Sequence, residues 1–336
     1  MPEDDNFRYE TCAYPSEDLD TNEVLIKTCY LSIDPASRCQ MNEDTGVLYL
    51  QPWKIGETIV GLSGVGVVVK SAHPDYNAGD VMYSFLKWPW ILYFTRKITD
   101  GTGFRKIDLA TFGGKMSMVL HLGVGLTAMI GIQQKGHVTP GANQTCVVSG
   151  AAGACGSIAG QVALLEGCKN LVGICGSQEK CDWLVTALPF NGAINYKKDN
   201  VDQKLAELCP AGIDVYFDNV GGDISDSVIK QMNKNSHVVL CGQISQYNKD
   251  VPYPPPLTDS IQQKVNENNI TRERFLVLNY TSEFDHATWQ LLQWIHRGEV
   301  KIRETVTEGL GNAGRALVSL MRGGNMGKQL VHVSDP

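Results

Sequence analysis

Long apolar runs are not expected in this chain. The longest apolar run, Ile59 to Val69, is broken by Gly61, Ser63, Gly64 and Gly66, and the N-terminus, MPEDDNF, is acidic with no apolar segment behind it. A membrane span needs about 20 apolar residues, and a secretion signal needs an apolar core after a basic start. Neither is expected. Runs of Lys and Arg are missing too: 29 basic residues against 36 acidic ones leave a net charge of −7, spread along the chain. Phosphate backbones are tracked by clustered basic residues, so nucleic acid is not expected as a partner. The seven histidines make no HxxxH or HxxEH pair and none sits in a GHE turn, while no two of the ten cysteines form a CxxC. Zinc sites draw their ligands from such spacings, so no metal is expected. A GxSxG elbow is absent, and nothing pairs a Cys or Ser with a His, which argues against a covalent nucleophile.

What is present is a folded chain of 336 residues, 43% apolar and 19% charged, long enough for two domains. Several cysteines lie inside apolar strand-like runs and read as reduced, mostly buried thiols of a cytoplasmic protein. Residues 1 to about 120 are β-rich. Asn22 to Ser32, Ile59 to Lys70 and Gly79 to Phe85 alternate like strands that close into a small barrel, and Asp34-Pro35 suits a helix start. Trp88-Pro89-Trp90 is either a core corner or one wall of an apolar pocket, and 97–118 reads as irregular.

From Leu126 the period changes to an apolar helix, Leu126 to Gln134. Strands are then expected at Cys146–Val148, Asn170–Cys175, Gly192–Tyr196, Ile213–Phe217, His237–Cys241 and Phe275–Tyr280. Helices are expected at Gln178–Ala187, Val201–Leu208, Ser225–Met232 and Ala287–His296. PYPPP, 252–256, can be neither helix nor central strand and reads as a polyproline excursion. The alternation predicts an α/β fold with a doubly wound parallel sheet that binds its ligand at the carboxyl ends of the strands. A last strand, Gln329 to Val333, would return to the first domain.

The chemistry gathers at those strand ends. In CVVSGAAGACGSIAGQV, 146–162, an apolar strand meets Gly150, Gly153 and Gly156, and helical spacing follows. Such a turn aims the first N–H groups of a helix outward and lets a diphosphate approach them. An NAD-preferring site has an Asp or Glu at the end of the second strand; here stand Gly176-Ser177 and then Lys180, which favours a 2′-phosphate and so NADPH. Tyr196, Asn219 and the loop from Gly242 to Tyr247 close later strands, Asn219 and the loop facing the nicotinamide side. Asp218 reads as a turn or cap residue and not as a base. Cys155 and Cys241 read as small side chains near the pocket.

The segments LSIDPASRCQMNEDTG (31–46), VVSGAAGACGS (147–157), INYKKDN (194–200), VYFDNVGG (215–222), LCGQISQYNKDVPYPPPL (240–257) and NITRERFLVLNY (269–280) resemble the zinc-free medium-chain dehydrogenase/reductases, and within them the prostaglandin-reducing enzymes. The resemblance covers nearly the whole chain and fits least at 91–120. It implies a GroES-like β-rich catalytic domain (1–120 and 298–336) with a Rossmann NADPH-binding domain (121–297). It also implies NADPH-dependent reduction of α,β-unsaturated ketones, with hydride passing to the enone β-carbon. The family's cofactor contacts would fall on Gly153, Ala154, Cys155, Gly156, Lys180, Tyr196, Asn219, Cys241, Gly242, Gln243, Ile244, Ser245, Gln246, Tyr247, Phe275, Leu276, Val277 and Asn325, and its lipid pocket on Phe85, Leu86, Leu276, Val277 and Leu278.

An enolate forms on reduction, so hydrogen-bond donors are needed at the ketone oxygen. Tyr247 and Tyr49 are the candidates, and a small lipid enone is the expected substrate of a monomer or homodimer. Three departures stand out. The chain begins where the family usually has another strand first, so an incomplete barrel edge or a shortened form is expected. Leu86 and an extra Lys87 follow Phe85 where an aromatic residue is usual, and LGVGLT (122–127) lacks the usual proline. A quinone reductase of the same superfamily is the nearer alternative, and an inactive NADPH sensor the more distant one.

Overall fold

The computed structural model describes every residue except Leu48, Asp100, Thr102, Asp250 and Tyr253. The polyproline expectation at 252–256 therefore lies partly outside the described residues. Contacts divide the chain into two units, Met1–Gly123 with Glu304–Pro336, and Val124–Arg303.

In the first unit the strand Glu23–Ser32 is central. Its apolar residues Val24, Leu25, Ile26, Cys29 and Leu31 are buried, so both faces are covered, and it pairs antiparallel with Gly64–Ser71, Tyr93–Lys97 and Lys328–His332. The sheet runs in the order Glu304–Glu308, Lys328–His332, Glu23–Ser32, Gly64–Ser71, Val81–Ser84, Phe104–Ile107. The single strand expected from 59 to 70 is split: Val60–Gly61 pairs instead with Trp88–Pro89. The turn Trp88-Pro89-Trp90 is a core corner. Trp88 is fully buried, stacks on Phe104 with centroids 5.3 Å apart and donates its indole N–H to Thr28 Oγ1 at 3.1 Å. Two elements correct the reading of 97–118 as irregular, the strand Phe104–Ile107 and the short helix Met116–Val119, and Tyr93–Lys97 is a further strand just before it. FRKI and YFTRK carry charge on their outer faces, which masks the apolar alternation. The helix begun by Asp34-Pro35 is a 3-10 helix, Pro35–Met41.

Among the described residues the second unit has six parallel strands: β1 Thr145–Ser149, β2 Asn170–Cys175, β3 Gly192–Asn195, β4 Ile213–Asp218, β5 Met232–Leu240 and β6 Thr271–Arg274. Their spatial order is β3-β2-β1-β4-β5-β6, so the connections reverse direction between β1 and β4, and a ligand crevice opens at the carboxyl ends there. Val147, Val172, Ile194, Tyr216 and Val238 form the core between the sheet and the helices Val201–Leu208, Gly222–Lys230 and Asp259–Glu267. The apolar helix begins five residues earlier than its pattern, at His121, and runs to Lys135. Met116–Lys135 corrects the reading of Ile59 to Val69 as the longest apolar run: among the described residues it is the one helical stretch long and apolar enough to cross a membrane. Yet 61% of its most apolar window is buried, and Gly131 lies against Phe217 and Phe275, as in a core helix.

Three elements of this unit differ from expectation. The helix after β4 is Gly222–Lys230, since positive φ at Gly221 and Gly222 starts it early, and β5 begins at Met232, where a helix end was expected. The apolar FLVLNY is not the sixth strand. Thr271–Arg274 is, and Val277–Glu283 winds as a 3-10 helix. The reason is the partner: β5 ends at Leu240, whose carbonyl accepts the last ladder bond from Phe275 N at 3.0 Å, so nothing remains for 276–280 to pair with. The true strand, TRER, is a charged edge of the kind that discourages further pairing.

Candidate active site

The glycine turn follows β1 directly. Gly150 takes φ +60°, Gly153 N donates to Gly150 O at 2.9 Å, and Gly153 heads the helix Ala154–Glu166 without a capping side chain. Gly156 is required by contact: a Cβ there would lie 2.5 Å from Gly150 O and 3.0 Å from Ala151 Cα. The turn thus presses against the helix, and the helix N-terminus is left to an anion.

At the end of β2 no carboxylate follows Cys175. Ser177 caps the helix Gln178–Thr186, accepting from Lys180 N at 3.3 Å. Burial lowers the pKa of Lys180, opposed by Cys175 and Glu179 and aided by the charge of Lys197. A Cβ on Gly176 would come within 3.0 Å of the Tyr196 ring and hydroxyl, so the glycine lets Tyr196 lie across the strand end. Lys197 Nζ is 6.0 Å from the centre of that ring. Two ammonium groups and an aromatic face suit a phosphorylated ribose, and a phosphate dianion would reverse the shift of Lys180. Lys197 was missed in the sequence reading, although it directly follows Tyr196.

The end of β4 is organised by Asp218, fully buried. Its Oδ1 accepts from Ser149 Oγ, Tyr216 Oη, Val220 N and Gly221 N at 2.9–3.1 Å, and Oδ2 accepts from Ser225 Oγ at 3.0 Å. A carboxylate holding five donors is an anchor and not a base. Asn219 is fixed by Nδ2 donating to Ser149 O at 2.8 Å, and its carbonyl accepts from Ile244 N at 3.1 Å. Ser245 N and Oγ both donate to Val220 O, so the loop 241–247 is laced to the loop after β4. Gln243 is buried with its Oε1 unbonded, a polar atom suited to a ligand donor. Tyr247 follows the 3-10 turn Ile244–Gln246, and its hydroxyl folds back to accept from Gln243 N at 3.4 Å. Cys155 Sγ and Cys241 Sγ are 3.9 Å apart.

Phe275 and Val277 are buried while Leu276 and Leu278 are half-buried, so within this run the two leucines offer the accessible apolar surface. In the first unit, Phe85 and the half-buried Leu86 follow the strand Val81–Ser84, and Ser84 Oγ donates to Leu86 O at 2.5 Å. The extra Lys87 is absorbed by a left-handed turn, φ +68°. Tyr49 is half-buried, and Asn325 is buried and donates to Gly327 O at 2.9 Å. Among the described residues no group of three or more His, Cys, Asp or Glu is placed to hold a metal ion.

Residues 1–107 match the family described as the N-terminal domain of oxidoreductase, and residues 154–289 that described as zinc-binding dehydrogenase. The chain is 34% identical to prostaglandin reductase 1 of Rattus norvegicus, over 98% of this chain and 95% of the relative. It is 32% identical to the NADPH-dependent curcumin reductase of Escherichia coli (strain K12), over 99% and 93%. CurA from Vibrio vulnificus, solved in complex with NADPH, superposes with a TM-score of 0.88 at 30% identity, covering 100% of this chain and 96% of that one. With relatives above 30% identity along its whole length, the chain belongs to the medium-chain dehydrogenase/reductase family, in its zinc-free branch, with a GroES-like N-terminal domain and a Rossmann nucleotide domain.

Proposed function

We propose that the chain is an NADPH-dependent reductase of α,β-unsaturated ketones that reduces the C13–C14 double bond of 15-keto-prostaglandins to 13,14-dihydro-15-keto-prostaglandins. That is the activity of a 15-oxoprostaglandin 13-reductase of the prostaglandin reductase 2 kind. The observation that carries the cofactor half is the end of β2, where Lys180 stands in place of a ribose-binding carboxylate, with Lys197 after β3 beside it. The substrate half is supported by relatives named for prostaglandin and curcumin reduction. In this reading 121–297 is the NADPH domain, while 1–120 with 298–336 bind the substrate, and the enzyme works in the cytoplasm as a monomer or homodimer.

Gly153 to Gly156 would hold the diphosphate and Lys180 with Tyr196 the 2′-phosphate. Asn219, 241–247, 275–277 and Asn325 would hold the nicotinamide half. When bound, NADPH supplies the hydride that reaches the enone β-carbon. Negative charge then develops on the ketone oxygen, where the hydroxyls of Tyr247, which also orients the nicotinamide ribose hydroxyl, and Tyr49 serve as donors. The proton at the α-carbon comes from solvent, which accounts for the lack of a dedicated acid. Phe85, Leu86, Leu276, Val277 and Leu278 would take the lipid chain. Turnover with nicotinamide-deuterated NADPH tests the reading: deuterium is expected at C13 and none at C14. Reduction of flat quinones with the enone untouched would overturn it.

A further inference from the structure

The two sulfurs at the cofactor turn stand out among the ten cysteines. Cys155 lies in the first turn of the helix Ala154–Glu166, and Cys241 opens the loop that follows β5; both are half-buried thiols with sulfurs 3.9 Å apart. Cys241 N and Gly242 N both donate to Asp218 O at 3.0 Å, which ties the start of the Cys241 loop to the end of β4. Cysteines in the first turn of a helix are the more reactive as thiolates. A second pair, Cys175 and Cys181, is closer, at 3.4 Å, but both are buried, and burial pushes both thiols up. Proximity alone would favour the second pair; access and position favour the first.

We propose that Cys155 and Cys241 form an oxidation site at which a hydroperoxide closes a disulfide and shuts the nucleotide turn. The Cys155 thiolate attacks the peroxide oxygen, giving a sulfenic acid and releasing hydroxide or alkoxide. The Cys241 sulfur then attacks that sulfenic sulfur, forming the S–S bond and releasing water with the Cys241 proton. Two thiols lose two electrons and the peroxide is reduced. A disulfide requires the sulfurs about 2.0 Å apart, so closure puts a covalent bridge between the helix start and the loop, on the surface assigned to the diphosphate and nicotinamide. The consequence for binding rests on the NADPH reading above.

The test uses the full-length protein, reduced or treated with hydrogen peroxide, with NADPH affinity measured by fluorescence and disulfides located by non-reducing peptide mapping. The expected result is a Cys155–Cys241 peptide, NADPH affinity weakened at least about tenfold and restored by dithiothreitol, and slower closure when NADPH is present. In Cys241→Ala the ratio of reduced to oxidised affinity should fall to about one. In Cys181→Ala that ratio should keep its wild-type value. Normal NADPH binding by the reduced protein with unchanged binding after oxidation, or a disulfide mapped only to Cys175–Cys181, would overturn the proposal alone. Failure of the reduced protein to bind NADPH would bring down the nucleotide reading and this consequence with it.

Discussion

In the proposed reading one side chain, Lys180, selects the cofactor. Its ammonium is partly desolvated beside Lys197, an arrangement that disfavours the charged form until an anion arrives. A charge-assisted contact is worth about 1.5–3 kcal/mol, so Lys180→Ala should weaken NADPH binding roughly ten- to a hundredfold and leave NADH nearly unchanged. Titrations with both cofactors check this, and equal losses for the two would contradict it. Tyr247 has a different part. Its hydroxyl rests against the backbone of Gln243 at a long 3.4 Å, a bond easily given up for a better partner. Removing one donor to a developing oxyanion costs up to about 10²–10³ in rate, so Tyr247→Phe should lower kcat far more than it raises KM. A variant with the kcat of the parent would take Tyr247 out of the mechanism.

At the scale of elements, a pair of a buried histidine and a half-buried carboxylate fixes the start of the helix His121–Lys135. His121 Nε2 lies 3.1 Å from Glu304 Oε1, while His121 Nδ1 is buried without a hydrogen-bond partner. Burial lowers the pKa of His121, outweighing the pull of Glu304, and the nearby charge of Lys328 acts with burial. The neutral ring therefore donates through Nε2. For Glu304, burial raises the pKa, but His121, Ser117 and Lys115 together hold it below the ordinary range. A histidine with a depressed folded pKa binds fewer protons folded than unfolded, so its contribution is complete above 6.5 and is lost as the pH falls below that value. Glu304 works in the same direction further down, complete above 4.5 and lost as its folded pKa is crossed. Urea midpoints should therefore drop as pH is lowered from 7 toward 5.5, and less steeply in His121→Gln; identical slopes would contradict the assignment. Elements of this chain were legible where an apolar run is continuous, as in the strand Asn170–Cys175, or where apolar residues recur at helical spacing, as in Val201–Leu208, and both stand as read. They were not legible where charge decorates an edge, as in TRER and FRKI, or where an apolar run such as FLVLNY outlasts its partner strand.

In the molecule as a whole, the nucleotide unit is one continuous segment, Val124–Arg303, set into a chain whose two ends share a sheet. The ends are joined by register, Leu31 opposite Val331, and by a buried ion pair between Lys328 Nζ and Asp34 Oδ1 at 2.7 Å. Asp34 and Lys328 lie 294 residues apart, so no local pattern could have announced them. The glycine turn and the missing carboxylate after β2, by contrast, are local and could be read directly; the hub at Asp218 needed Ser149, Tyr216 and Ser225 brought together by folding. The central proposal is NADPH-dependent, metal-independent reduction of an enone. It is tested most directly by following the loss of NADPH absorbance with a 15-keto-prostaglandin, beside NADH and with a metal chelator present. The account predicts turnover with NADPH, little with NADH and no effect of the chelator; NADPH bound but never consumed, or activity abolished by the chelator, would contradict it.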